Sequence, residues 1–383
     1  MAKQPTNNLS RLLPVLFTFF VMGFCDIVGV VKNHMTADGL LTDENAGNLS
    51  FVMFCWFLLS VPFALMMNRI GRKTTVQVSN IITIVGMVIP IFMHDAVSML
   101  TACALLGFGN TILQVSLNPL MSNVVKGDQL ASSLTTGQFI KAISSFVGAP
   151  LTLLATSLFG QWYYVFPIFA AFTLVSAVWL QLTRIEERAP DKGSTLGGTF
   201  ALLGDRTILL LFLGIIAVVG IDVGMNMATP SLLKKAGVAI STADFGSTVY
   251  FLGRTAGTLV GAILLARISE KIYFRAHILL ALAGVVAFYF LSSSLPIFVT
   301  AAIIAFGISS IFAVIFSQAM KARPDKGNEI SGLMITGVFG GAIVGPVCNL
   351  AVKALGGDAA GSVLVIGLFA LYLTACSLVL KFK

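Results

Sequence analysis

Charged residues are scarce in this sequence of 383 residues, where Asp, Glu, Lys and Arg together make up 10%. Soluble globular domains carry about 25%, so the composition excludes an ordinary soluble protein. Hydrophobic residues make up 57%, and the mean hydropathy is +0.95. No stretch is polar enough to form a separate soluble domain, which argues against a receptor with a large ectodomain and against a membrane-tethered enzyme.

Residue clusters that carry enzyme chemistry are also lacking. The five cysteines show no CxxC or Cys/His spacing, so neither disulfides nor a metal site is predicted. The three histidines, His34, His94 and His277, lie at the ends of apolar segments, and no Ser/His/Asp group accompanies them. We therefore expect no enzyme, no metal and no cofactor.

The net charge of +8 does not indicate nucleic-acid binding, because the cations lie in short loops between apolar segments. The first eleven residues are polar and lead into an apolar run without a small-residue cleavage site, so no signal peptide is predicted. The expected partner of the chain is the lipid bilayer.

Apolar runs of bilayer length recur along the whole chain. A helix needs about 20 apolar residues to cross a bilayer, and twelve segments approach this length. They are predicted at residues 12–31, 46–68, 74–93, 97–120, 129–156, 161–183, 207–228, 243–268, 274–292, 296–320, 327–353 and 359–381. The sequence therefore predicts an all-α integral membrane protein with twelve transmembrane helices, called spans 1 to 12 below.

The two halves of the sequence repeat each other. Residues 68–73 after span 2 (NRIGRK) are echoed 198 residues later by residues 266–271 after span 8 (ARISEK). Asp26 in span 1 and Asp222 in span 7 lie 196 residues apart. We expect two pseudo-symmetric six-helix bundles, residues 1–183 and 207–383, joined by a cytoplasmic linker over residues 184–206. Related bundles with a substrate site between them are typical of alternating-access transporters.

Cations are distributed asymmetrically among the loops. Of the 24 Lys and Arg residues, eighteen fall on one side of the predicted membrane and four on the other. Cytoplasmic loops carry the excess of Lys and Arg, so both termini are predicted in the cytoplasm. The remaining two cations, Lys141 and Arg254, lie inside predicted spans.

The turn after span 2 resembles the signature of the major facilitator superfamily, Gly-x3-Asp-Arg-x-Gly-Arg-Arg/Lys. Here Asn68 stands at the Asp position and Ala64 at the first Gly position, whereas Arg69, Gly71 and Arg72 match. With the twelve spans, the repeat and the inward termini, the resemblance covers essentially the whole chain. It implies that Asn68, Arg69, Gly71 and Arg72 latch the cytoplasmic side.

Four segments resemble the fucose/proton symporter family, which also holds glucose and galactose permeases. They are residues 54–57 (FCWF) with 62–64 (PFA) in span 2, 107–109 (GFG) with 113–119 (LQVSLNP) in span 4, 253–254 (GR) with 257–258 (GT) in span 8, and 331–333 (SGL) with 340–343 (GGAI) and Pro346 in span 11. The Pro-Glu-Ser-type motif that another large sugar-porter family has after span 6 is absent.

The family resemblance implies import of a small sugar driven by a proton, with a titrating Asp in span 1 and a Glu in span 4. Asp26 matches the Asp. Gln114 stands at the Glu position, and Lys141 stands where the family has an Asn in span 5. These departures bear on the proton stoichiometry and on the identity of the sugar.

Two acids and two bases lie deep within predicted spans. A charge near the bilayer centre costs several kcal/mol, so each one indicates function and requires a partner. Asp26 and Asp222 are candidate proton-coupling residues, because a desolvated carboxylate can load and release a proton. Asp222 and Arg254 are expected to form an ion pair or to contact the substrate directly.

Lys141 lies about twelve residues into span 5, too deep for its stem to reach the surface easily. Three interpretations are open. It forms a static ion pair with Asp26, or it forms a pair for which proton and substrate compete, or it binds a carboxylate on the substrate.

Amides and one Trp complete the candidate substrate-binding residues. Amides suit sugar hydroxyls because one side chain both donates and accepts hydrogen bonds. Helical spacing places Gln114 and Asn118 on one face, and Gln138 with Lys141 on another. Trp56 stacks on a sugar ring or packs against its neighbours. The candidate set is Asp26, Trp56, Gln114, Asn118, Gln138, Lys141, Asn226 and Arg254.

Glycines repeat every four residues in spans 8 and 11, where they allow helices to approach closely. They are Gly253, Gly257 and Gly261, and Gly337, Gly341 and Gly345. The superfamily resemblance implies that span 8 packs on span 5, and span 11 on span 2, between the halves. Tight packing within one half is the alternative.

The sequence thus predicts a proton-coupled importer of a small sugar, a monomer in the inner membrane of a bacterium. One alternative is an importer of an acidic sugar such as a uronate or sialic acid. Others are a proton-driven exporter of apolar compounds and a sensor built on a transporter scaffold. Sodium in place of the proton also stays open.

Overall fold

The computed structural model of the chain describes residues 8–42, 48–125, 129–187, 193–238, 240–355, 360–380 and 382. These residues form α-helices and short 3-10 turns, and this described part contains no β-strand. Residues 188–192 of the predicted linker lie outside it.

Twelve helices within the described ranges are long and apolar enough to cross a membrane. Spans 1 to 12 are Leu9–Ala37, Phe51–Ile70, Arg72–Phe92, Ala96–Val124, Gln129–Phe159, Trp162–Leu182, Arg206–Lys235, Gly246–Leu265, Glu270–Phe290, Ser294–Ala322, Pro324–Ala354 and Ala360–Val379. The prediction of an all-α membrane protein with twelve transmembrane helices is confirmed, and each span overlaps its predicted range.

Some spans continue beyond the apolar runs that predicted them. Span 7 ends at Lys235 rather than near residue 228, and Leu232 and Leu233 in the added turns are buried. Span 1 likewise continues to Ala37, with Met35 fully buried. Tertiary packing of single apolar residues sustains these final turns, which average hydropathy does not detect.

Spans 1 and 2 are interrupted by short 3-10 turns, Gly23–Ile27 and Cys55–Leu59. Such turns within a helix have poorer hydrogen-bond geometry and often mark a functional hinge. A Cβ atom on Gly23 would lie 2.5 Å from the carbonyl oxygen of Lys141, so glycine permits the close approach of span 1 to span 5. Asp26 lies in the first turn and Trp56 in the second.

The chain divides into two compact units. The first comprises Met1–Gly127, Gly137–Thr199 and Lys326–Thr336, and the second comprises Asp128–Thr136, Phe200–Asp325 and Gly337–Lys383. Residues 326–336 of span 11 therefore belong to the first unit, and residues 129–136 of span 5 belong to the second. The predicted division at residues 183 and 207 stays a prediction.

Aromatic rings hold span 1 against span 6 in the first unit. Phe24 stacks on Phe169 with ring centroids 4.0 Å apart, and Phe20 meets Phe24 edge-on at 5.5 Å. Both Phe24 and Phe169 are buried. Because Phe24 lies in the same 3-10 turn as Asp26, this stacking helps to fix the backbone that carries the carboxylate.

The glycine repeats pack within the second unit. A Cβ atom on Gly253 would lie 2.5 Å from the carbonyl oxygen of Ala302 in span 10, and one on Gly341 would lie 2.8 Å from the Val219 side chain in span 7. These contacts support the alternative of tight packing within one half.

The helix pairs that the superfamily resemblance implies are nevertheless in contact through other residues. Ser132 Oγ in span 5 donates to the carbonyl oxygen of Ala262 in span 8 at 2.7 Å, within the second unit. Gly332 in span 11 lies against span 2 within the first unit, where a Cβ atom on it would be 2.9 Å from the Ser60 carbonyl oxygen.

All five cysteines are free. Cys55 is partly buried, and the other four are buried. The side chains of the described residues contain no group of three or more His, Cys, Asp or Glu that is placed to hold a metal ion.

Candidate substrate-binding and ion-coupling site

Asp26 and Lys141 form an ion pair inside the first unit. Lys141 Nζ lies 3.5 Å from Asp26 Oδ2, and the side chains are 21% and 37% exposed, respectively. Charge-assisted hydrogen bonds are shorter, about 2.7–2.9 Å. The ion pair is therefore present but loose, and its carboxylate is accessible.

Ser145 is the closer partner of the same carboxylate. Its Oγ donates to Asp26 Oδ2 at 2.6 Å and lies 3.0 Å from the carbonyl oxygen of Lys141. Both of these contacts of Asp26 fall on Oδ2. Ser145 was not among the predicted site residues, although its position one helical turn after Lys141 places it on the same face.

Span 4 contributes buried amides with unused acceptors. Asn118 Nδ2 donates to the backbone carbonyl oxygen of Gln114 at 2.9 Å. Asn118 Oδ1 and Asn110 Oδ1 are buried, and neither accepts a hydrogen bond from any described residue. Such orphaned groups are rare in folded proteins, and each offers an acceptor to a hydroxyl group. Asn110 was not among the predicted site residues, although the spacing of four from Gln114 indicated it.

Three further predicted substrate-binding residues are Trp56, Gln138 and Asn226. Trp56 meets Phe108 edge-on with centroids 5.0 Å apart, and its buried Nε1 has no partner among the side chains and backbone described. Gln138 is half-buried. Asn226 Nδ2 donates to the backbone carbonyl oxygen of Asp222 at 2.9 Å.

Asp222 forms a tight cluster in the second unit. Arg254 Nη1 lies 2.8 Å from Asp222 Oδ2, and Tyr250 OH donates to Asp222 Oδ1 at 2.6 Å. The Asp222 side chain is only 13% exposed, and Tyr250 is fully buried. Of the two alternatives for Asp222 and Arg254, the structure shows the ion pair. Tyr250, which lies one helical turn before Arg254, was not among the predicted site residues.

The two equivalent acids thus have different surroundings. Asp26 lies in a 3-10 turn and binds through one oxygen, whereas Asp222 lies within the uninterrupted helix Arg206–Lys235 and binds through both. The repeat offset of 198 places Trp56 at the position of Arg254. Span 2 therefore has no cation at the position from which Arg254 of span 8 pairs with Asp222. The cation that pairs with Asp26 is Lys141 of span 5 instead.

Residues 68–73, called the basic turn below, are held by Arg72. Its Nη1 donates to the carbonyl oxygen of Pro119 at 2.8 Å and to Ser122 Oγ at 3.1 Å, and its Nε donates to Asn328 Oδ1 at 2.7 Å. Asn328 Nδ2 in turn donates to Asn68 Oδ1 at 2.6 Å. The neutral amide of Asn68, which stands where the superfamily signature has a carboxylate, is therefore held by a second amide.

Glu187 completes the basic turn from the far end of the first unit. Its carboxylate accepts from the backbone N–H groups of Arg72 and Lys73 at 2.7 and 2.6 Å. These N–H groups lie in the first turn of a helix, where the helix itself supplies no acceptor and a negative charge is favourable. Gly71 has φ +88°, and Arg69 is exposed. Glu187 was predicted only as part of the linker. Its contact with Arg72 joins residues 115 positions apart, and such a contact produces no local pattern in the sequence.

Glu270 forms a similar cluster in the second unit. It is 7% exposed, and it accepts from Ser317 Oγ at 3.0 Å, from Lys321 Nζ at 2.9 Å and from the Gln318 side chain. This buried carboxylate joins the start of span 9 to the end of span 10, and it was not among the predicted site residues.

Known proteins resemble this sequence over nearly its whole length. The glucose/galactose transporter of Brucella abortus biovar 1 (strain 9-941) is 24% identical over 368 residues, covering 90% of this chain and 88% of the relative. A putative glucose/galactose transporter of Helicobacter pylori (strain ATCC 700392 / 26695) is 21% identical over 373 residues, covering 90% and 89%.

Two solved structures share the fold. The Escherichia coli fucose:proton symporter FucP matches with a TM-score of 0.83 and 15% identity, covering 97% of this chain and 98% of that one. The proton:xylose symporter XylE matches with a TM-score of 0.72 and 12% identity, covering 96% and 94%.

The profile of the Major Facilitator Superfamily matches residues 15–346, which is most of the chain. The match agrees with the twelve spans and with the structural neighbours. The chain is therefore a multi-pass membrane transporter, not an enzyme, and it belongs to the Major Facilitator Superfamily.

Proposed function

We propose that the chain imports a small sugar of hexose size together with a proton, as a monomer in the inner membrane of a bacterium. The names of its relatives, which are glucose/galactose transporters, support a sugar as the substrate. The fold that it shares with fucose:proton and proton:xylose symporters supports coupling to a proton. The excess of cations on one side supports two cytoplasmic termini.

The ion pair of Asp26 with Lys141 carries this proposal. Its carboxylate is accessible, lies in a helix interruption and is held by a contact of 3.5 Å. A proton and the Lys141 ammonium therefore compete for one carboxylate. Binding of the proton releases Lys141, and loss of the proton restores the pair. The transport cycle thus includes an ionised and a protonated form of Asp26. Coupling of sugar movement to proton movement requires two such forms.

The geometry around Asp222 favours a different role. Both of its oxygens are bound within the second unit, by Arg254 and Tyr250, so removal of its charge would leave the partly buried Arg254 guanidinium without this carboxylate. The proposal therefore gives the proton to Asp26 and gives Asp222 the task of positioning Arg254 and Asn226 for the substrate.

Sugar hydroxyls need donors and acceptors at fixed places. In the first unit these are the amides of Gln114, Asn118 and Gln138, and we add Asn110 because its Oδ1 is buried and unused by the described residues. Trp56, which packs on Phe108 of span 4, adds an indole N–H that no described residue uses.

The test uses purified protein in proteoliposomes with an inside-alkaline pH gradient. Wild type accumulates the sugar against its gradient, whereas Asp26→Asn loses accumulation but retains exchange of labelled for unlabelled sugar. Asp325→Asn, which changes an exposed acid, serves as the control and keeps both activities. Full accumulation by Asp26→Asn would contradict the proposal, as would failure of wild type to move any hexose-sized sugar.

A further inference from the structure

Lys141 adds a fixed positive charge to the proposed proton site. Spans 1, 4 and 5 of the first unit contain one acid, Asp26, and one deep cation, Lys141. The buried thiol of Cys25 also interacts with Asp26 and Lys141, and a thiol is neutral when protonated. With Asp26 ionised, the pair carries no net charge.

Protonation of Asp26 changes this balance. The Lys141 ammonium then faces a neutral carboxylic acid, and span 5 offers it no replacement, because residues 129–159 contain no Asp or Glu. An unpaired cation at membrane depth is costly. A neutral sugar brings hydroxyl groups but no charge, so it does not compensate for the lost carboxylate.

A substrate carboxylate does compensate. It binds the released ammonium as Asp26 did, and the complex of protonated Asp26, Lys141 and the substrate anion is again neutral. In this step one proton passes from the outer solution to Asp26, the ion pair breaks, and a new ion pair forms between Lys141 and the substrate. One proton and one anion then cross together, without net charge.

We infer that the proton-coupled substrate is a sugar monocarboxylate, that Lys141 is the residue that selects its carboxylate, and that a neutral sugar crosses without a proton. This inference rests on the proposed sugar-transport function and names the substrate class of the same site. The loose contact between Lys141 and Asp26 and the second hydrogen bond from Ser145 to Asp26 fit an ammonium that changes partner while the carboxylate stays in place.

The test compares sugars that differ only at C6, D-galactose with D-galacturonate and D-glucose with D-glucuronate. Proteoliposomes report proton entry through an internal pH dye and sugar movement through labelled exchange. In wild type, a uronate drives entry of about one proton per sugar, and the neutral partner exchanges without proton entry.

Variants at residue 141 show whether uronate transport depends on the positive charge of Lys141 or only on the size of its side chain. Lys141→Gln lowers uronate uptake by roughly tenfold or more, because a charge-assisted contact is lost, and it makes transport of the neutral hexose proton-dependent, because Asp26 then lacks its internal counter-ion. Lys141→Arg keeps the positive charge and retains uronate coupling. Binding to detergent-solubilised protein, followed by Trp fluorescence, shows the same loss of uronate affinity in a readout that needs no transport.

The outcomes distinguish this inference from the proposed function. Proton entry with a neutral hexose in wild type, whether or not a uronate is also carried, would overturn the inference and leave proton-coupled sugar import intact. Unchanged uronate affinity in folded Lys141→Gln would overturn it as well. Failure of wild type to move or exchange any of the four sugars would overturn both.

Discussion

Arg72 and Glu270 occupy equivalent positions of the internal repeat, 198 residues apart, and bind equivalent residues with opposite charge. Arg72 donates to the carbonyl oxygen of Pro119 and to the Asn123 side chain. The same offset maps those two positions onto Ser317 and Lys321, which donate to Glu270. Each unit therefore ties the third helix of its repeat to the fourth at the same place, through a cation in one unit and an anion in the other.

The buried pair of Glu270 with Lys321 makes a strong stability prediction. Glu270→Gln removes the charge that Lys321 faces, and we expect the free energy of unfolding to fall by about 3 kcal/mol. Thermal unfolding in detergent micelles measures the change. Asp325→Asn, at an exposed ion pair with Arg323, is the control and should cost less than about 1 kcal/mol. Equal effects at the two sites would contradict a structural role for Glu270.

Gly71 joins spans 2 and 3 with φ +88° and ψ 161°, a conformation that other residues avoid. A Cβ atom there would also lie 2.7 Å from Glu187 Oε2. We expect Gly71→Ala to destabilise the protein by about 1–3 kcal/mol. Gly29→Ala, at a glycine with no heavy atom within 4 Å of the added Cβ, should be tolerated. Thermal unfolding of the two variants side by side checks this, and a wild-type Tm for Gly71→Ala would refute it.

The two glycine repeats give a prediction about helix packing. Gly253→Ala places a methyl group 2.5 Å from the carbonyl oxygen of Ala302, whereas Gly345→Ala meets only Met227 Sδ at 3.7 Å. Overpacking against backbone costs about 1–3 kcal/mol. Gly253→Ala should therefore lower the Tm, and Gly345→Ala should leave it nearly unchanged. A reversed order would show that span 8 does not pack on span 10 as described.

Tyr250→Phe removes the hydrogen bond to Asp222 Oδ1 and keeps the ring. Because Tyr250 is fully buried, loss of this bond to a charged group should destabilise the protein by about 1–3 kcal/mol. Arg254 still holds the carboxylate, so the number of protons carried per sugar should stay the same. Thermal unfolding and proton flux test the two statements separately. A changed proton ratio would bring Asp222 into the coupling step.

Asp95, between spans 3 and 4, gives a prediction about pH. The Ser98 hydroxyl and the backbone N–H groups of Ser98 and Val97 lower the pKa of its carboxyl below 3.8. A carboxyl whose pKa is lower in the folded state than in the unfolded state stabilises the protein at pH values above the unfolded-state pKa. This stabilisation is lost as the pH falls through the folded-state pKa. The Tm difference between wild type and Asp95→Asn should therefore shrink below pH 3.8. A difference that stays constant through this range would contradict the assignment.

The number and order of the spans could be predicted because each apolar run is long enough to span the membrane. The ion pairs of Asp26 with Lys141 and of Asp222 with Arg254 could also be predicted, since each deep charge needs a counter-charge. The interruptions at Gly23–Ile27 and Cys55–Leu59 could not, because they arise where packing of one helix on another competes with regular hydrogen bonding.

Contacts between distant segments were harder to predict. Glu187 caps span 3 across more than 100 residues, and Tyr250 binds Asp222 only because span 8 places it one turn before Arg254. Ser145 and Asn110 had a usable signal in their spacing of four from Lys141 and Gln114. The glycine repeats could not decide between the two packing alternatives, because small residues serve packing within a half and between halves alike.

The burial of the native cysteines has a consequence for chemical labelling. Buried thiols react slowly with maleimides and spin labels, and Cys25, Cys103, Cys348 and Cys376 are all buried. A cysteine introduced at an exposed position would react first in the otherwise unaltered chain, with Cys55 as the main source of background. Distances between pairs of labels can therefore be followed through the transport cycle without first replacing Cys25, the neighbour of Asp26.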